Sequence, residues 1–351
     1  MLRWLTALIL LLTLPPLQGH AETYPETIGF TFVENSESPS TGKEGIIYAF
    51  GAFDGNARSR FLTFIRIRNI THATVVFDSP GGNLFGGLEL GEAIRDNKFN
   101  TAVGRQDDTN TTSNAICASA CSYAFAGGIY RYLTRDNQLG LHQFSTQTNQ
   151  GDLGQAQTIT ALIVDYLDRM GVQSQAYTTA AFTSHTDITW LTPAQALKMR
   201  FANNGRHITT AEIKLVNMLP YLRLEQVQHD MIMRTVFLCN DKREVTVTAG
   251  IGTTPELTLT RYEWTKRAYL TFDDQKTLLN EESPGVIPFE SVLWIVRQLS
   301  REQVAALGAT QNLGLWVEAE SPDYRWGGTM ELEPVKDKIA YFAEQCYAPS
   351  F

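Results

Sequence analysis

Thr74-Val75-Val76-Phe77-Asp78-Ser79-Pro80-Gly81-Gly82-Asn83 is the stretch on which the fold turns. Thr74–Phe77 is a continuous run of strand length, and it passes at once into a Ser-Pro-Gly-Gly turn. Leu84–Asp96 then has the spacing of a helix. A strand that enters a helix through a glycine turn opens a βαβ unit, and the flanking sequence repeats that alternation. Upstream, Ile46–Phe50 reads as a strand and Arg58–Ile67 as a helix. Downstream, Thr101-Ala102-Val103 is a short strand, Gln106–Asn114 a polar loop and Ala115–Ala126 a helix of small residues. Residues 45–205 are therefore expected to form an α/β domain around a mostly parallel sheet.

Outside that block the texture differs. Met1–Ala21 has one cation, Arg3, then the apolar run Trp4–Leu14, a Pro-Pro break and Gly19-His20-Ala21. An apolar run of about 11 residues is short of the ~20 a membrane helix needs, so 1–21 reads as a secretory signal peptide cut after Ala21. Residues 22–44, rich in Ser, Thr, Glu and Pro, read as a loose arm, and 206–234 as a helical connector. From 235 to 351 the pattern is that of a smaller α+β domain. Glu244–Thr248 and Glu256–Arg261 alternate apolar and polar residues, and Lys266–Phe272 and Leu313–Ala319 are strand candidates. Ser300–Gly308 and Lys336–Gln345 have helical spacing.

Composition narrows the function. The chain has 351 residues, a formal charge of −8, 43% apolar and 19% charged residues. That excludes a disordered chain, and an acidic protein without a Lys/Arg-rich run is a poor nucleic-acid binder. Five histidines remain beyond the leader (His72, His142, His185, His207, His229), none at zinc-ligand spacing, so no metal site is expected. Gly104 and Gly86-Gly87 make no dinucleotide fingerprint, and no cofactor is expected. Trp264, Trp316, Tyr324 and Trp326 read as core or edge residues rather than a ligand box.

Three stretches of the α/β block carry chemistry together. In Ser79–Gly82, Gly81 and Gly82 let backbone N–H groups face a ligand at a helix start, which also describes an ordinary tight turn. In Cys117–Gly128, Ser122 lies near a helix start with the Tyr123 N–H following it, a place that also suits a packing residue. In Leu139–Phe144, His142 ends an apolar strand, where a structural histidine is common. Nucleophile activation needs a hydroxyl, a base and paired N–H donors, and these stretches offer one candidate for each.

With those residues in view, 45–205 resembles the Clp-protease-like serine peptidases of the ClpP/crotonase superfamily, and more closely their exported bacterial relatives. The family's nucleophile helix reads Ala-Ser-Met-Ala or Ala-Ser-Ala-Gly, and Cys121-Ser122-Tyr123-Ala124 is set against it, with Ser122 as nucleophile. Its base strand, Met-Ile-His-Gln-Pro-like, corresponds to Gly140-Leu141-His142-Gln143-Phe144, and its Ser-Pro-Gly-Gly turn is unchanged at Ser79–Gly82. The resemblance implies a ββα-repeat domain followed by the smaller α+β domain. It implies an oxyanion hole from the Gly82 and Tyr123 N–H groups, with Gly81 shaping the turn. It implies a peptide or protein substrate and assembly into homo-oligomers. The usual third member, an Asp, is replaced by Asn203, which can orient an imidazole but cannot stabilise the imidazolium by charge. Asp187 is the nearest upstream acid. In an exported protein no ATPase partner is expected, because the periplasm lacks ATP, and an acyl-CoA enzyme of the crotonase type is disfavoured by the same compartment. A catalytically weak relative used for binding or scaffolding is the rival reading.

The four cysteines allow three pairings. Cys117 and Cys121, four apart on one helix face, lie within disulfide range, leaving Cys239 with Cys346 to close the second domain. Cys121 as a free thiol beside Ser122 would instead suggest a thiol nucleophile.

Overall fold

The computed structural model describes residues 23–35, 42–106, 114–145, 153–229, 231–273, 275–277, 285–321 and 323–348. The expected leader, 1–21, lies outside them. The α/β half contains β1 (Gly29–Glu34), β2 (Lys43–Phe50), α1 (Ala57–Arg68), β3 (Ile70–Asp78), α2 (Leu84–Asp96) and β4 (Asn100–Val103). It continues through β5 (Ile116–Ala118), α3 (Ala120–Ala126), β6 (Arg131–Tyr132) and β7 (Gln138–Leu141). It ends with α4 (Leu153–Arg169), α5 (Gln175–Phe182), β8 (Thr189–Leu191) and α6 (Pro193–Lys198).

Two sheets organise this half. One has the order β1-β2-β3-β4-β6, parallel throughout except for the antiparallel β1–β2 pair. The other, β5-β7-β8, begins with a parallel pair and ends with an antiparallel one. Ile47, Val75, Phe77, Phe61, Leu90 and Ile94 are buried in one cluster, where α1 and α2 cover the parallel sheet. Part of the expected arm is thus a strand. Phe30 and Phe32, two apart on β1, pack against this core, so the alternation needed for a half-buried strand is present.

The remaining chain is built from antiparallel strands. These are β9 (Thr210–Val216), β10 (Leu219–Gln228), β11 (Met231–Cys239), β12 (Val245–Gly252), then α7 (Pro255–Trp264) and β13 (Arg267–Phe272). After them come β14 (Gln275–Thr277), β15 (Val286–Phe289), β16 (Val292–Leu299), α8 (Arg301–Leu307), β17 (Asn312–Glu318), β18 (Arg325–Glu331) and α9 (Lys336–Tyr347). They form one sheet of order β15-β16-β12-β11-β10-β9 and another of order β14-β13-β17-β18.

Two expectations change here. Residues 206–234 are not a helical connector, because β9, β10 and the start of β11 fill them. Alternate residues of β10, from Pro220 to Gln228, are buried, a two-residue period that overrides the helix propensity of its Leu, Glu and Gln. Glu256–Arg261 is helix rather than strand. Thr254 caps α7 by accepting from Leu257 N, and Pro255 occupies the first turn, where its missing N–H costs nothing. The core of this half (Leu222, Phe237, Val247, Leu315 and Phe342 among others) is a cluster separate from that of residues 28–202.

Candidate active site

β3 ends on Asp78, which is buried, pairs with Arg105, and accepts from Tyr24 Oη (2.9 Å) and Ile116 N (3.2 Å). Ser79 continues the pairing into β5, donating its N–H to Ile116 O (2.8 Å) and accepting from Ala118 N (3.1 Å). Its Oγ accepts from Gly81 N (3.1 Å). Gly81 (φ +99°) and Gly82 (φ +135°) then turn the chain through conformations L side chains rarely adopt. A Cβ on Gly81 would lie 2.6 Å from both Ala118 O and Ser119 Cβ, so the turn rests directly against residue 119.

The segment facing that turn is not one continuous helix. Ile116–Ala118 is a strand, α3 begins at Ala120, and Ser119 joins them at φ 58°, ψ −123°. A non-glycine residue at positive φ is a strained position, held here because its N–H donates to Gly140 O (3.0 Å) and the flanking residues are buried. From Cys117 to Gly128, Ser119 alone is not fully buried, and its side chain makes no capping hydrogen bond. Of the first-turn N–H groups of α3, that of Ser122 donates to Ser119 O (3.0 Å), while those of Ala120 and Cys121 precede the first intrahelical bond.

Ser122 lies elsewhere than expected. Its side chain is fully buried, and Oγ sits 2.7 Å from Gly140 O and 3.2 Å from Cys117 O. Both neighbours are acceptors, so its one hydroxyl proton is committed to backbone carbonyls and the oxygen has no open face. Tyr123 is the fourth residue of α3, so its N–H falls within regular helix bonding rather than among the orphan donors. The Ser122 hydroxyl is thus enclosed, whereas Ser119, three residues earlier, sits at the strand-to-helix turn. The sequence signal for this turn is the small-residue run Ala118-Ser119-Ala120, which the expectation of one unbroken helix over 115–126 passes over.

His142 follows β7. Ala118 is paired with Gly140 in parallel register, so Ser119 and His142 leave the ends of neighbouring strands, one and two residues beyond that pair. Parallel neighbours run ~4.8 Å apart. The Nδ1 of His142 is buried without a hydrogen-bond partner. Burial lowers its pKa below the ordinary 6.5, the positive field of His185 adds to that, and a contact with the Gln143 backbone opposes it.

Asn203 does not reach His142. Its Oδ1 accepts from Arg131 N (2.8 Å) and Gly205 N (3.3 Å), and its Nδ2 donates to Ile129 O (2.9 Å). The amide is spent on tying the chain after α6 to β6, which is why it cannot orient the imidazole. Asp187 is exposed in the turn after α5, with its N–H on Ser184 O (2.9 Å).

Cys117 and Cys121 form a disulfide with Cα atoms 5.2 Å apart, and Cys239 joins Cys346 with Cα atoms 5.8 Å apart. The first bond spans the strand-to-helix turn rather than one turn of helix, so it brackets Ser119 symmetrically. It also consumes Cys121, which removes the thiol nucleophile. Among the described residues no group of three His, Cys, Asp or Glu could hold a metal ion, and no helix is long and apolar enough to cross a membrane.

No family model matches the sequence, and no curated protein matches it. Among solved structures, the chain is similar to a ClpP1 mutant from Listeria monocytogenes at 16% identity and TM-score 0.33, covering 46% of this chain and 88% of that one. It is also similar to a mutant of the 1510-N membrane-bound stomatin-specific protease at 17% identity and TM-score 0.30, covering 46% of this chain and 76% of that one.

Proposed function

We infer that this protein is an exported, ClpP-like serine hydrolase, acting on peptides by acyl transfer, with Ser119 as nucleophile and His142 as base. The observation that carries this reading is the setting of Ser119: a serine at positive φ on a strand-to-helix turn, pressed against a double-glycine turn, beside the strand that His142 follows. His142 takes the Ser119 proton as Oγ attacks a carbonyl, then returns it to the leaving amine. The N–H groups of Ala120 and Gly82 stabilise the tetrahedral oxyanion; Gly81 contributes shape, since its own N–H is held by Ser79 Oγ. Two disulfides, both within the part that follows the expected leader, suit an oxidising compartment such as the periplasm. The two halves act as separate domains, the second controlling access or assembly.

A fluorophosphonate probe tests the reading. Labelling of the wild type and of Ser122→Ala, but not of Ser119→Ala, supports it; labelling that survives Ser119→Ala refutes it. A weakly active or inactive binding protein is the second reading. What favours it is His142, whose buried Nδ1 lacks the acceptor that would orient the ring and stabilise the imidazolium. Under that reading the probe labels nothing between pH 6 and 9.

A further inference from the structure

Between the two halves lies a cleft of about 720 Å³, well within the range of small-molecule sites. Its charge is opposite to that of the chain, which carries a formal −8. Six cations line it: Arg95, Arg131, Arg169, Lys198, Arg200 and Arg206. The acids that line it are Asp168, Glu225 and Glu331. Arg169 is already paired with Glu92 and Asp165, and Glu225 with Arg234. Among the described residues, the other five cations form no ion pair, and neither does Asp168 or Glu331.

The inner wall is unusual in its chemistry. Arg131 is buried, yet its guanidinium meets only carbonyl oxygens: those of Phe201 (2.8 Å), Gly128 (3.0 Å), Met170 (3.3 Å) and Arg200 (2.7 Å). Arg95 does the same with Gly127, Ala126, Gly128 and Met170. The carbonyl ends of α3 accept these bonds, but no carboxylate balances the two charges. The field is felt locally. Burial and then Arg95 pull the Arg131 guanidinium down to about 9. His207, on the rim, is lowered by burial and then by Arg131 and Arg95.

The outer wall presents further cations on a fastened loop. Asn203 and Asn204 clamp residues 200–206 to β6 through Arg131 N and Leu133 N. Arg200, directly after the end of α6, holds a left-handed φ of 54°, where glycine is the usual residue. Its carbonyl is fixed by Arg131 while its side chain and those of Lys198 and Arg206 stay accessible. Buried positive charge without a carboxylate partner, adjoined by three accessible cations on the lining of a small-molecule volume, describes an anion receptor.

We propose that the cleft between the two halves binds a small multivalent oxyanion, with Arg200, Arg206 and Lys198 as the contacting cations. The ligand is a compact molecule carrying two or more negative charges, phosphoryl or polycarboxylate in kind.

Calorimetric titration of the intact, oxidised chain at low ionic strength tests this, with inorganic pyrophosphate in one arm and citrate in the other. Saturable one-to-one binding in either arm supports the proposal, and the arm that saturates identifies the oxyanion. The Arg200→Gln/Arg206→Gln double variant should weaken that binding at least about tenfold. Lys198→Gln, on an exposed helix end, should weaken it less and serves if the double variant misfolds. Failure to saturate in both arms overturns the proposal. So does unchanged affinity in the folded variants, or a thermal stabilisation that chloride of matched ionic strength reproduces. None of these readouts depends on hydrolase activity.

Discussion

Ser119 and Ser122 are three residues apart and have opposite fates. One sits on the turn with its hydroxyl unclaimed by a cap; the other is sealed under Gly140 and Cys117 carbonyls. Ser119→Ala should therefore abolish probe labelling and leave the melting temperature nearly unchanged. Ser122→Ala should keep labelling and lower stability by about 1 kcal/mol, the worth of a lost buried hydrogen bond, measured by denaturant titration. His142 supplies a pH test. Its pKa is lowered, mainly by burial, so the neutral base persists into more acid solution than for a free imidazole. The acid limb of kcat/KM is expected to have its midpoint below pH 6.5. The same shift has a stability cost with a definite sign. Below 6.5 the unfolded chain takes up protons at His142 and His207 before the folded one does, so stability falls with pH through that window.

At the level of elements, much of the α/β half was legible because strand and helix alternate with the periods expected of them. Leu84–Asp96 is helical to the residue, and Arg58–Ile67 differs from α1 by one residue at each end. What escaped was a turn. Ala115–Ala126 has helix-forming small residues throughout, yet tertiary pairing of Ile116–Ala118 with Ser79 and β7 claims its first part as strand. Propensity alone cannot register that, and Ser119, the proposed nucleophile, lies on the turn it creates. Asn203 does not orient His142, because its amide is drawn to the backbone around β6. Asn203→Ala should accordingly cost about 1–3 kcal/mol, through the unsatisfied Arg131 N–H and Ile129 carbonyl, without shifting the pH profile of any activity. The Cys117–Cys121 bridge belongs to this scale too. Replacing both by alanine should cost about 2 kcal/mol by loop entropy, and should diminish labelling at Ser119 more than global stability explains, because the strained turn loses its brace. Non-reducing peptide mapping of the native chain should recover 117–121 and 239–346 linkages.

The whole molecule has separate cores and one disulfide deep in each half. Cys239–Cys346 closes 107 residues, for which the loop-entropy model gives about 4–5 kcal/mol. Calorimetry is expected to resolve two transitions, and full reduction should lower that of the second half by about 10 °C or more. If the cleft takes up an oxyanion through Lys198, Arg200 and Arg206, pyrophosphate or citrate should raise the transition of the α/β half beside them more than that of the second half.

The spacing of the four cysteines also sets an order of assembly. A chain that emerges N-terminus first presents Cys117 and Cys121 almost together, and they can join before any other cysteine arrives. Cys239 then waits for Cys346, 107 positions further along. Each thiol thus meets its correct mate as the nearest one available in time. If the chain is exported as proposed, oxidation in the order of delivery yields these two linkages.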